Sequence, residues 1–258
     1  MSFEPDSIHV DRVEPAVNFG ERRGVSTPDI LMMHYTGMDD GDSAVKWLCC
    51  EESGVSCHYL VFEDGEIVQM VEEFRRAHHA GKGGWEGHDD VNSRSIGIEI
   101  VNGGHPAGLP NFPFVQMEAV ARLALDIIER YSIQPYRVLA HSDTAPGRKE
   151  DPGEKFDWAW LSGRKVGHWT EPTPLQAGPF IQRGDEGQAV EAWQSMLAMY
   201  GYNLDIDGVF DERTQAVTEA FQRHFRQALV DGVADFSTID TLHRLSASRP
   251  QSTVRQRV

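Results

Sequence analysis

Ile30-Leu31-Met32-Met33 is an apolar run with no polar alternate, and it ends at His34. A strand with one wet face alternates apolar and polar residues, so an unbroken run marks a strand covered on both faces. Such a strand needs packing layers above and below it, which points to an α/β architecture. Ser95 to Val101 adds a second strand, with Ile96, Ile98 and Ile100 on one side and Gly97, Glu99 and Val101 on the other. Val138-Leu139-Ala140 is a third, ending at His141. Between them, residues 114–131 place Met117, Val120, Ala124, Ile127 and Tyr131 on one helical stripe, with Gln134-Pro135 as the stop. Residues 42–50 read as a shorter helix through Val45, Leu48 and Cys49. Glu63-Asp64-Gly65-Glu66 between apolar runs predicts a hairpin. Residues 76–86, with His78, His79 and three glycines, read as a loop, and the polar stretch to about Val25 as a wrap around the domain. The expected fold is α/β, a mixed central sheet with helices on its faces, over residues 1–162.

Residues 163–180 lose all periodicity and gain prolines and glycines, so they read as a linker, partly draped over the first domain. Beyond it, Val190, Trp193, Leu197 and Tyr200 share one helical stripe. Then a motif repeats: Asp207-Gly208-Val209-Phe210-Asp211 up to Thr214 recurs as Asp231-Gly232-Val233-Ala234-Asp235 up to Thr238. In each copy the glycine makes the turn and the second aspartate caps a helix. This predicts a small three-helix domain over residues 181–246, followed by a frayed polar tail over 247–258. Trp193, Phe210, Phe221 and Phe225 read as its core rather than as a sugar platform.

The charge balance, 24 basic against 40 acidic residues for a net −16, argues against nucleic acid or an anionic membrane as the main partner. Cys49, Cys50 and Cys57 match neither a disulfide framework nor a thiolate zinc spacing, and read as small hydrophobes. No membrane span and no secretory leader are legible, so the expectation is a cytoplasmic monomer, with the periplasm or cell envelope as the alternative.

The chemistry gathers at strand ends. His34 and His141 each follow an apolar run, where α/β folds place their sites. Lys149 and Asp151 stand two apart and, in an extended segment, project to one side. Two imidazoles and one carboxylate are ordinary zinc ligands, and a catalytic zinc keeps a fourth position open. Glu99 could move the proton of an attacking water to a leaving nitrogen, and Lys149 could stabilise an oxyanion. His79 and Asn102 could line the cleft. Single histidines at such places are more often structural, and a strand glutamate can simply face water. The combination is what favours a hydrolase.

These residues lie in HYTG at His34, SCHYLV at Cys57, HAG at His79, SIGIEIVN at Ser95 and HSDTAPGRKEDPG at His141. Together they resemble the zinc-dependent N-acetylmuramoyl-L-alanine amidases, which share a fold with phage-type amidase lysozymes and peptidoglycan recognition proteins. The resemblance spans residues 30–160. It implies one zinc ion on His34, His141 and Asp151, with Glu99 and Lys149 catalytic. The implied reaction cuts the amide between the N-acetylmuramic acid lactyl group and L-alanine, in peptidoglycan or in anhydro-muropeptide fragments. Phage-type members carry a tyrosine near Cys57 and lack the glutamate, so Cys57 is given no catalytic part. RGDEGQAVEAWQSML and the two repeats are similar to the bacterial peptidoglycan-binding domain, although Asp211 departs from its usual glycine. Two other readings compete. One is a non-catalytic muropeptide-recognition protein on the same fold, which usually loses a zinc ligand. The other is a zinc hydrolase for an unrelated amide, which the C-terminal domain disfavours.

Overall fold

The computed structural model describes residues 3–250. Strands β1 (Arg12–Val13), β2 (Phe19–Glu21), β3 (Ile30–Tyr35), β4 (Tyr59–Val61), β5 (Ile67–Gln69), β6 (Arg75–Ala77), β7 (Ser95–Ile100) and β8 (Val138–Ala140) follow in chain order. The helices are α1 (Gly41–Cys49), α2 (Val91–Arg94), α3 (Phe114–Tyr131), α4 (His141–Thr144), α5 (Trp158–Ser162), α6 (Gln188–Tyr200), α7 (Glu212–Phe225) and α8 (Phe236–Ser248). Six strands form one mixed sheet in the order β1-β5-β4-β7-β3-β8, and β2 pairs with β6 alone. The expected hairpin is β4–β5, antiparallel with Val61 opposite Ile67.

The middle of the sheet is parallel, and its register positions the site. His34 stands opposite Glu99 across β3–β7, and Met33 opposite Ala140 across β3–β8. His34, Glu99 and His141 therefore arrive at the same carboxyl-terminal edge of three neighbouring strands. On one face Leu31, Met33, Ile96, Ile98 and Ile100 pack with Met117, Val120, Leu123, Ala124 and Ile127 of α3. Each large aliphatic side chain buried there contributes about 1.5–3 kcal/mol.

The other face explains the unbroken run in β3. Ile30, Met32 and Leu139 join Trp193, Leu197, Tyr200, Phe221 and Phe225 in a single cluster. The layer covering this side of β3 and β8 is thus the C-terminal helical module itself. Val166 of the linker is buried in the first core, and Trp169 packs against both clusters. Thr173 N also donates to Thr241 Oγ1 at 3.0 Å, so the linker lies against the module as well as the sheet.

Within the module, Trp193, Phe210, Phe221 and Phe225 are buried. Asp211 and Asp235 cap α7 and α8 by accepting from Thr214 N and Thr238 N at 2.8 and 2.7 Å. The repeat extends to a buried glutamine behind each turn. Gln194 Oε1 accepts from Asp207 N and Gly208 N, and Gln222 Oε1 from Asp231 N and Gly232 N.

Several expectations need correction. Arg76 and Ala77, expected to open the loop 76–86, belong to β6, because their backbone completes a ribbon with β2 in the N-terminal wrap. Helix α3 keeps the expected bounds 114–131, but what ends it is Ser132, left-handed at φ 55° with its N–H closing on Ile128 O, ahead of Gln134-Pro135. His141, expected at the end of the third strand, instead opens the helical turn α4. The last helix continues to Ser248, so the expected tail is helical where it begins, and its remainder from 251 lies outside the described residues. Among the described residues, no helix is long and apolar enough to cross a membrane.

Candidate active site

His34, His141 and Asp151 meet in three dimensions. His34 Nδ1 and His141 Nδ1 are 3.0 Å apart, and each lies 3.0 Å from Asp151 Oδ2. All three side chains are buried. His34 comes from β3 and His141 from the start of α4. Asp151 follows a succession of turns, tied back by Ser142 N donating to its carbonyl at 3.1 Å. Lys149 and Asp151 line the same cleft, but those turns bring them there, not an extended segment.

The hydrogen-bond network determines which electron pairs face the triangle. Val91 O can only accept, so Ser95 Oγ–H donates to it at 2.7 Å. Ser95 Oγ then accepts from His79 Nε2 at 3.1 Å, which leaves His79 Nδ1 bare. That atom lies 2.9 Å from His34 Nε2, so His34 donates through Nε2 and presents an unprotonated Nδ1. On the other side His141 Nε2 donates to Ala80 O at 2.8 Å, leaving its Nδ1 bare too. Two lone pairs and a carboxylate oxygen thus face one point with no proton between them. A divalent cation resolves that conflict. Tetrahedral zinc at 2.0–2.1 Å from its ligands spaces them by about 3.3–3.4 Å, within a few tenths of the separations found here. The donor set fits zinc.

Charge sorts the two carboxylates. Burial opposes ionisation of Asp151, but His141, then His34, hold its carboxyl well below the ordinary range. Glu99 goes the other way: burial, then Asp151, push it well above, with Lys149 acting in the opposite sense. Glu99 Oε2 is enclosed and has no hydrogen-bond partner. Two carboxylates with affinities pushed apart can divide the work, one as a standing anion and the other as a proton carrier. Burial, and next to it His141, push His34 down to about 4, which keeps the ring neutral.

The site opens into a cleft of about 420 Å³ lined by Tyr35, Trp47, His79, Glu99, Lys149 and Glu150, among others. Glu99 faces this cleft from a central strand, not water at a sheet edge. His79 lines it but serves His34 directly, and a Cβ on Gly97 would sit 2.5 Å from the His79 ring. Asn102 is not among the lining residues. Its Nδ2 donates to Pro110 O and its Oδ1 accepts from Gly104 N, so it braces the loop after β7. Cys57 is buried, its thiol raised by burial and then by Glu99. Sequence reasoning gave no role to Ser95, Ala80 or Asp143, although each lies within a quoted motif: Ser95 Oγ accepts from His79, Ala80 O from His141, and Asp143 Oδ2 from the backbone of Ala140.

The family profile described as N-acetylmuramoyl-L-alanine amidase matches residues 24–154, and one for a peptidoglycan binding domain matches 186–242. The chain is 39% identical over 228 residues to N-acetylmuramoyl-L-alanine amidase AmiD of Escherichia coli (strain K12), covering 81% of this chain and 79% of that protein. The structure of that amidase in complex with anhydro-N-acetylmuramic acid-L-Ala-D-γ-Glu-L-Lys superposes with a TM-score of 0.73 at 34% identity, over 88% of this chain and 96% of the other. AmpDH3 from Pseudomonas aeruginosa, in complex with anhydromuramic pentapeptide, gives 0.72 at 29% identity, over 97% and 99%.

Proposed function

The chain belongs to the N-acetylmuramoyl-L-alanine amidase family, and we propose that it works through one zinc ion held by His34, His141 and Asp151. As a member it hydrolyses the amide between the lactyl group of N-acetylmuramic acid and L-alanine. The observation that carries the zinc assignment is the bare Nδ1–Nδ1–Oδ2 triangle, closed on its outer side by His79 and Ala80. When bound, zinc supplies a Lewis acid that polarises the scissile carbonyl and acidifies water. Glu99 takes the proton of the attacking water on its carboxylate and passes it to the leaving nitrogen of L-alanine. Its raised affinity suits both halves of that transfer, because the carboxyl has to hold the proton until the nitrogen takes it. Lys149 places a positive charge in the same cleft, where it stabilises the oxyanion that grows on the carbonyl.

The substrate class we propose is a muropeptide with a 1,6-anhydro-N-acetylmuramic acid end. Support comes from the two structural relatives, each bound to such a molecule. The C-terminal module favours cell-wall material more broadly. The test is mass spectrometry of products from purified anhydro-muropeptides and from intact sacculi, with and without chelator. Free stem peptides beginning in L-alanine, lost on chelation, are expected from the anhydro-muropeptides. Chelator-insensitive release would remove zinc from the reading.

A further inference from the structure

The C-terminal module reaches the metal-facing turn directly. Asp143, two residues after His141 in α4, is buried, and its carboxylate is shared between the two halves of the protein. Oδ2 accepts from Ala140 N at 2.8 Å, the residue just before His141. The same oxygen accepts from His224 Nδ1 of α7 at 2.7 Å, and Oδ1 accepts from Tyr202 OH at 2.7 Å. His224 is held by stacking, 3.8 Å from Trp158 on one side and 3.8 Å from Phe225 on the other.

A second contact supports the other edge of the site. The segment carrying His79 and Ala80, which hydrogen-bond His34 and His141, continues to Trp85. Trp85 is buried edge-on against Tyr202, 4.9 Å between ring centres. Glu86 N donates to Gly201 O, and Gly87 N to Asn203 Oδ1, both at 2.8 Å. A Cβ on Gly201 would fall 2.4 Å from the Trp85 ring, so only glycine allows this approach.

We propose that Tyr202 and His224 are positioning residues of the amidase site: through Asp143 they orient the His141 imidazole, so the module is part of the catalytic scaffold as well as a cell-wall binder. The inference rests on the zinc reading above. His141 is aimed by two restraints, its Nε2–H on Ala80 O and the Asp143 clasp on the backbone just before it. Without the two donors of the module that fix its rotamer, this buried carboxylate is short of partners and free to turn, so its grip on Ala140 N, and with it the backbone just before His141, loosens. Outer partners of metal-bound histidines typically govern 10–100-fold in affinity.

The test uses the full chain carrying Tyr202→Phe, His224→Phe and both. Phenylalanine at 224 keeps the stacking ring and removes the donor, whereas His224→Asn restores a donor near the Nδ1 position. Zinc affinity is read by competition with a chromophoric chelator, kcat and KM on a soluble anhydro-muropeptide, and the His141 imidazole nitrogens by NMR in metal-free protein. The expected result is a zinc Kd at least 10-fold weaker in the double variant, a lower kcat at unchanged KM, shifted His141 nitrogens, and recovery of most of the affinity in His224→Asn. Wild-type zinc affinity and an unmoved His141 signal in Tyr202→Phe and in the double variant would overturn the proposal. Failure of the wild type to bind zinc would instead overturn the zinc reading, while the NMR comparison in metal-free protein still decides the positioning role.

Discussion

His34 Nδ1 and His141 Nδ1 approach to 3.0 Å although 107 residues separate them in the chain. Parallel pairing of β3 with β8 makes them neighbours, since Met33 lies opposite Ala140 and each histidine follows its partner residue. Both rings are then turned so that a bare nitrogen faces Asp151, and this arrangement governs how the site should respond to change.

Glu99→Gln removes the proton carrier without touching the triangle. Zinc content should stay at one per chain by elemental analysis, while kcat falls by about 10² or more. A variant with normal turnover would move the general base elsewhere.

Asp151→Ala removes the anionic corner and leaves two neutral imidazoles. Metal retention through dialysis against a weak chelator should be lost. Undiminished zinc content would take Asp151 out of the ligand set.

His79→Ala deletes the acceptor that holds the His34 proton on Nε2. The His34 ring is then free to place that proton on Nδ1, and zinc affinity should weaken by about 10–100-fold in chelator competition. Equal affinity would show that the tautomer is set by another group.

Metal-free protein should show the burial of Glu99 in its pH profile. Its folded affinity for a proton is raised above the unfolded value. The stability associated with the neutral form is present in full below the unfolded value, roughly 4.3, and is lost as pH rises through the higher folded one. Glu99→Gln, neutral throughout, should therefore be more stable than wild type above that window, on the order of 1 kcal/mol. The gain should vanish in acid. Denaturant titrations at several pH values measure it, and a pH-independent difference would contradict the assigned shift.

Gln194→Ala and Gln222→Ala probe the repeat in the helical module. Each glutamine bridges the Asp-Gly turn ahead of the following helix, accepting from two backbone N–H groups. Each loss should destabilise the protein by about 1–3 kcal/mol in denaturant unfolding. Matched losses at both positions are expected from the matched geometry.

Much of this was legible in the chain because local spacing limits backbone periodicity. The alternation of Ile96, Ile98 and Ile100 set the phase of β7 and so the side from which Glu99 projects. The stripe from Met117 to Ile127 marked α3, and the two Asp-Gly-Val copies marked the turns ahead of α7 and α8. Asn102 shows the limit. A polar residue just beyond a site strand can point into the cleft or back into its own loop, and its partners, Pro110 O and Gly104 N, decide for the loop.

The sequence by itself determined the strands, the long helix and the residue types that zinc chemistry requires, since each depends on neighbours a few positions away. Tertiary structure alone decided that His34 Nδ1, His141 Nδ1 and Asp151 Oδ2 close to 3.0 Å, and that the second face of β3 is covered by the C-terminal helices. It alone placed Tyr202 and His224 on Asp143. Those contacts join residues far apart along the chain, and they form through strand register and packing of whole layers, which no short stretch of residues encodes.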